Sequence, residues 1–167
     1  MPVSGIALGC DYNPEQWDEA VWREDIRLMQ EAGVNLVTLA VFAWANIEIA
    51  DGVYQFDWLD KVIQLLHEGG IGVDLATATA SPPAWLLQQH PELRPTKSDG
   101  TVLNHGGRQT YCISSPIYRD KAKSLAAKMA ARYGSHPAIK MWHVNNEYGC
   151  HNQMCFCDTS VQAWRVW

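Results

Sequence analysis

The residues with the clearest chemical capacity lie near the end of the chain. Residues 139–149 read Ile-Lys-Met-Trp-His-Val-Asn-Asn-Glu-Tyr-Gly, an apolar run after a Gly/His/Pro break that turns polar and stops on a glycine. If residues 139–145 form a strand, alternate side chains share a face. Met141, His143, Asn145 and Glu147 then point one way, and Trp142 and Val144 the other. A carboxyl group at a strand end, hemmed by aromatic rings, can have its pKa raised by desolvation and act as a general acid. Glu147 is therefore the candidate catalytic carboxylate, although the spacing alone is equally that of a satisfied structural one. Strict alternation puts Asn146 on the opposite face, so both reach one ligand only if the strand bulges or ends there.

A second group follows at once. Cys150, Cys155 and Cys157 cluster just beyond, with Cys112 far upstream. The pair Cys155 and Cys157 could ligate zinc as thiolates, but a structural zinc site takes four ligands. Ser160, a poor ligand, and His151 are the candidates to complete the set, and free thiols fit the same spacing. His143 and Glu147 do not make a His-Glu-x-x-His, which argues against a zinc protease. No Gly-x-Ser-x-Gly is present, and Ser114-Ser115 has no triad around it.

The elements that must position these groups follow a repeating order. Residues 6–8 lead into the polar turn 9–14 as a first strand and its loop. A helix over residues 18–32 buries Trp22, Ile26 and Met29 at helical spacing and stops at Gly33. Residues 35–42 make a second strand and residues 43–56 a loop. Asp57 caps a second helix that ends at Gly69-Gly70, before a third strand over residues 71–76. Residues 80–115 form a long connection broken by prolines, with a helical turn or two at residues 83–90. Connections of that length are usually functional or partly structured. Ser115 as cap and Pro116 in the first turn open a third helix, closed by Gly134. Residues 139–145 are the fourth strand, and a fourth helix starts at Thr159.

Strands alternating with helices predict a parallel sheet with right-handed crossovers. No Gly-x-Gly-x-x-Gly follows the first strand, which disfavours a dinucleotide fold. A (β/α)8 barrel takes about 250 residues and carries its chemistry at the carboxyl ends of its strands. The expected fold class is therefore α/β, the first half of a (β/α)8 TIM barrel truncated after strand four. Residues 1–167 form one partial domain, expected to be a fragment of a larger enzyme.

Composition sets the outer bounds. The 167 residues are 47% hydrophobic and 19% charged with a net charge of −5, an ordinary globular balance that argues against a nucleic-acid surface. No apolar run approaches the roughly 20 residues of a membrane span, and the start of the chain lacks the pattern of a signal peptide. Five cysteines, an odd number, do not suggest a disulfide framework, so a reduced, cytoplasmic setting is expected. Eight tryptophans are many for this length. Most should be core, but Trp17, Trp44 and Trp85 adjoin strand ends, where an indole can stack on the C–H face of a sugar.

Several motifs taken together resemble the glycoside hydrolase family 42 β-galactosidases. They are Asp11-Tyr12-Asn13-Pro14-Glu15-Gln16-Trp17, Ala43-Trp44, Thr79-Ala80-Ser81-Pro82-Pro83-Ala84-Trp85-Leu86, Arg108-Gln109-Thr110-Tyr111-Cys112 and the run from Trp142 to Gly149. The resemblance covers essentially the whole chain, in order. It implies a retaining glycosidase that releases terminal β-linked galactose from a β-galactoside, needs no cofactor for its chemistry and forms a homo-oligomer, a trimer. Glu147 is then the acid/base, Asn146 holds the sugar beside the scissile bond, and Arg108 contacts the galactose. The second carboxylate that retention requires comes, in the family, from a later strand beyond Trp167. By the same resemblance, Cys112, Cys155 and Cys157 match three of four cysteines that hold a structural zinc in some members, and the fourth position is Ser160. The competing expectations are a non-catalytic half-barrel with at most weak sugar or metal binding, or hydrolysis of another β-glycoside such as an arabinoside or fucoside.

Overall fold

The computed structural model describes residues 5–151 and 153–167; the reading of residues 1–4 lies outside them. In chain order the elements are β1 (Gly9–Tyr12), α1 (Glu19–Glu31), β2 (Leu36–Leu39), α2 (Trp44–Ile47), β3 (Glu48–Ala50), β4 (Val53–Tyr54), α3 (Asp57–Glu68), β5 (Gly72–Ala76), α4 (Ala84–Gln89), α5 (Pro116–Tyr133), β6 (Ile139–His143) and α6 (Asp158–Val166). Four strands make one sheet in the order β1-β2-β5-β6, every neighbouring pair parallel. Helices α1, α3 and α5 return the chain between them. The chain thus carries four consecutive parallel strands of a (β/α)8 barrel, the expected half-barrel.

Register explains which side chains face the helices. Tyr12, Leu39, Leu75 and Trp142 align across the sheet, and the first three are buried while Trp142 packs on the same core. The alternate row, Asp11, Thr38, Asp74 and Met141, lies on the other face, the inner side of a barrel. Trp142 outward and Met141 inward is the arrangement expected from alternation. Helix α3 buries Leu59, Val62, Ile63 and Leu66 as a single stripe, and α5 buries Tyr118, Leu125, Met129 and Tyr133. Between these helices the Arg132 guanidinium and the Tyr133 hydroxyl both hydrogen-bond Asp60, at 2.8 and 2.7 Å.

Some boundaries differ from expectation, each for an identifiable reason. The first strand is Gly9–Tyr12, not residues 6–8: Ile6 is exposed, and the Asn35 amide holds the Ile6 carbonyl and the Leu8 N–H, at 3.0 Å each, as a lead-in. Gly9 is needed at the start of this strand because a Cβ there would stand 2.7 Å from the Leu36 carbonyl oxygen. Asp57 does not cap α3. Phe56 occupies the cap, and Asp57 with Asp60 instead places negative charge in the first turn, where the helix dipole favours it. The loop at residues 43–56 contains α2 and the β3–β4 hairpin. The fourth strand ends at His143 rather than at residue 145. Ser115 does cap α5, accepting from the Tyr118 N–H, with Pro116 behind it. No described helix is long and apolar enough to cross a membrane.

Candidate active site

Among the described residues, five non-glycine residues have positive φ: Ala40, Ala78, Gln109, Asn145 and Glu147. Ala40 directly follows β2, Ala78 closely follows β5, and Asn145 and Glu147 follow β6. Gln109 is bonded onto that same end. Left-handed backbone at residues with a Cβ is costly and persists where surrounding contacts impose it, which happens most often at functional sites. Here the strain collects at the carboxyl ends of the strands.

The contacts that impose it centre on Asn145. Its N–H donates to Thr77 Oγ1 (3.1 Å), and its side-chain amide donates to the hydroxyls of Tyr111 (3.0 Å) and Tyr118 (3.3 Å). The two tyrosine rings stack with centroids 3.9 Å apart, and the Tyr118 hydroxyl continues to the Thr79 carbonyl at 2.9 Å. Burial, and then the neighbouring Tyr111, push the Tyr118 phenol far up, so it stays a neutral donor. Asn145 Oδ1 in turn accepts the Asn146 N–H at 2.7 Å. Asparagine is among the few residues that accept the left-handed region readily. The strand ends at His143, and the positive φ at Asn145 and Glu147 breaks the alternation that would put Asn146 and Glu147 on opposite faces.

The long connection closes over the same end. Gln109 N–H donates to the Ala80 carbonyl (3.1 Å) and Cys112 N–H to that of Leu93 (2.7 Å). The Gln109 amide donates to the carbonyls of Asn146 and of Glu147, the latter at 3.3 Å. Its neighbour Arg108 lays its guanidinium over the Phe42 ring, 4.6 Å from the centroid, just past β2. Asn146 Oδ1 meets His143 Nε2 at 3.2 Å. Arg108, Asn146 and Glu147 are thus carried by two adjoining loops at one end of the sheet. The Glu147 side chain keeps 51% of its surface and lies 3.5 Å from His151 Nε2. It is not the desolvated carboxyl that the aromatic surroundings suggested; among the described residues β6 has no strand on its far side.

The tryptophans divide. Trp44 is fully buried, donates to the buried carboxylate of Glu48 at 2.7 Å and cannot be a sugar platform. Trp85 is half-buried and donates to the Glu48 carbonyl at 2.9 Å. Trp17 remains exposed after β1.

Cys112, Cys155 and Cys157 come together, their sulfurs all within 4.8 Å of one another and those of Cys112 and Cys157 3.5 Å apart. Tetrahedral zinc with bonds of about 2.3 Å sets its sulfurs roughly 3.8 Å apart, so the three thiols suit such an ion. Ser160 Oγ stands 3.1 Å from Cys112 Sγ, a hydroxyl beside the three thiols. His151 does not join this group; its ring is grouped with Glu147 and Cys150. Burial pushes the Cys112 thiol up to about 11. Burial is also the largest influence on Cys155 and would raise it, but hydrogen bonds from the Cys157 backbone, Ser160 and the Thr96 backbone outweigh it and bring the thiol down.

Parallel strands with strained carboxyl ends carry an Asn-Glu pair and an arginine at that end of the sheet. Sequence and structure comparisons agree on the family of the chain. The glycoside hydrolase family 42 model, described as beta-galactosidase, matches residues 11–167. The chain is 50% identical over 165 residues to beta-galactosidase bgaB of Geobacillus kaustophilus, covering 99% of this chain and 25% of that protein. It is 52% identical over 159 residues to beta-galactosidase LacZ of Heyndrickxia coagulans, covering 95% and 24%. The beta-galactosidase structure from Bacillus circulans sp. alkalophilus superposes with a TM-score of 0.92 at 44% identity, over 97% of this chain and 24% of that one. That from the psychrophilic Marinomonas ef1 gives 0.93 at 37%, over 97% and 25%. The chain belongs to glycoside hydrolase family 42. It spans about a quarter of the length of the relatives it matches.

Residue-level reading missed Gln109, Thr77, Tyr111 and Tyr118 as the frame of this end, and placed Asn145 with Glu147 without its framing role. Gln109 and Tyr111 stand in one of the motifs that carried the resemblance, which is the only signal that marked them.

Proposed function

We propose that residues 1–167 supply the acid/base arm of a retaining β-galactosidase and belong to a single catalytic barrel domain. Glu147 protonates the departing glycosidic oxygen and later takes a proton from the water that hydrolyses the glycosyl-enzyme. Asn146 hydrogen-bonds the sugar next to the scissile bond, and Arg108 contacts the galactose. A nucleophilic carboxylate about 5–5.5 Å from Glu147 is required, and in this reading it lies outside residues 1–167. The observation that carries the reading is the double hydrogen bond from Gln109 to Asn146 and Glu147, which joins the Arg108 loop to the Asn-Glu loop.

Zinc, when bound by Cys112, Cys155 and Cys157, would act structurally, tying the loop before α6 to the loop before α5. It takes no part in the chemistry. The assembly proposed is a homo-oligomer, a trimer, in the cytoplasm; the odd number of cysteines, five, supports a reducing setting.

The test is galactose release from an aryl β-galactoside by a complete barrel, made by joining residues 1–167 to the remainder of a close relative. The reading predicts turnover. A well-folded barrel that hydrolyses an arabinoside or fucoside but not a galactoside would move the substrate class. The second reading, a sugar- or metal-binding half-barrel without catalysis, is favoured by the exposure of Glu147.

A further inference from the structure

Three different ligand types converge on one turn beside the acid/base candidate. A carboxylate oxygen of Glu147, Cys150 Sγ and a ring nitrogen of His151 all lie within 4.8 Å of one another. All three residues are exposed. The turn that gathers them is closed by the Cys150 N–H donating to the Glu147 carbonyl at 3.0 Å. Gly149 supplies a φ of +80° that a side chain would strain, with no atom near enough to forbid a Cβ sterically. Its requirement is conformational, to bring positions 147, 150 and 151 onto one side.

We propose that Glu147, Cys150 and His151 form a binding site for a borderline divalent cation of the zinc type, separate from the three-thiol cluster. The donor set is one oxygen, one sulfur and one nitrogen. Such a set suits zinc and its first-row neighbours over magnesium or calcium, which take oxygen ligands. Three protein ligands leave the fourth position to water, an open and exchangeable shell. Binding releases the Cys150 thiol proton, leaves His151 neutral and occupies the Glu147 carboxylate. A carboxylate bound to an ion cannot deliver a proton, so occupancy switches off general acid catalysis. That consequence rests on the acid/base reading of Glu147; the binding itself does not.

The site is tested on the purified 167-residue chain with zinc chloride as the probe, in a Cys10→Ser, Cys112→Ser, Cys155→Ser, Cys157→Ser background that leaves Cys150 as the sole thiol. Cobalt(II) chloride in parallel reports a thiolate charge-transfer band. The expected result is one zinc per chain, weakened roughly tenfold or more by Cys150→Ser and again by His151→Gln, since even outer-shell changes at metal sites cost that much. The cobalt thiolate band is lost in Cys150→Ser. These residues are exposed, so circular dichroism should be unchanged in both variants. Zinc affinity indifferent to both substitutions means Glu147 and His151 are neighbours only, and overturns the site. The functional role is read separately in a complete barrel. If Glu147→Gln leaves hydrolysis intact while the binding losses appear, the acid/base reading falls and the metal site stands.

Discussion

The side-chain amide of Gln109 donates to the main-chain carbonyl of Glu147 at 3.3 Å, and to that of Asn146 beside it. A buried residue of the long connection thereby fixes the backbone that carries the acid/base candidate. Gln109 touches neither the carboxyl nor any reacting atom, so it is a positioning residue. In a complete barrel, Gln109→Ala should lower kcat roughly tenfold to a hundredfold, the scale of a small misplacement, while the pH profile keeps its shape. The substitution adds no new backbone strain, because the φ of 55° burdens alanine and glutamine alike. Unchanged kcat would remove Gln109 from the site.

The three-thiol cluster makes a prediction about zinc. With a hydroxyl at position 160, zinc should be held weakly and be stripped by mild chelation. Ser160→Cys should convert the cluster to a closed four-thiolate shell that retains zinc. Metal analysis before and after dialysis against a chelator decides this. Stoichiometric zinc surviving in the unmodified chain would contradict the reading of Ser160.

The clamp between α3 and α5 should appear as acid sensitivity. The Asp60 carboxyl is held below its ordinary value, chiefly by its hydrogen bond from Arg132, against the opposing effect of burial and with help from Tyr133. A carboxyl depressed in the folded state stabilises the fold above its unfolded pKa of about 3.9. That contribution is lost as pH falls through the lower folded value. Asp60 is more than a third exposed, which limits the effect to about 1 kcal/mol or less. Asp60→Asn should therefore lower Tm at pH 7 and narrow the gap to the unmodified chain below about pH 4. A gap that widened on acidification would contradict the assignment.

The 167-residue chain by itself should not turn over. Proton donation without a nucleophile leaves the glycosyl-enzyme unformed. Among the described residues, strands β1 and β6 also end the sheet with unpaired edges, which invite pairing with other chains. Size-exclusion chromatography should show self-association. An aryl β-galactoside should be hydrolysed no faster than by the chain with Glu147→Gln. Turnover well above that control would mean a second carboxylate is recruited from within these residues or from another copy.

What could be read in advance followed the strength of the local signal. Helices α1, α3 and α5 announced themselves through apolar spacing and through Gly33, Gly69-Gly70 and Gly134 at their ends. The Ser115-Pro116 start of α5 was equally plain, because a cap and a first-turn proline act locally. The first strand was misplaced since Ile6 and Leu8 look like strand residues but stay exposed, while pairing begins at Gly9. Hydrogen bonds to the side chain of Asn35, 27 residues away, set that boundary and leave no local trace. The same holds for the site. Glu147 and Asn146 were visible as polar residues at the end of an apolar run. Asn145 with Tyr111 and Tyr118, or Gln109 with Glu147, are contacts between segments 27 to 38 residues apart. Trp44 was the reverse case: its place after a strand suggested a ligand platform, and the buried Glu48 carboxylate claimed its N–H instead.

The central claim is that Glu147 donates and recovers the proton. The direct measurement is the rate of a complete barrel carrying Glu147→Gln on two β-galactosides, one with a poor leaving group and one an activated aryl galactoside. Proton donation matters most where the leaving group is poor, so that rate should fall by roughly 10²–10⁴. The activated substrate should lose far less at its first step, and added azide, which attacks the glycosyl-enzyme without needing a base, should restore turnover on it. Small and equal losses on both substrates, with no response to azide, would contradict the account.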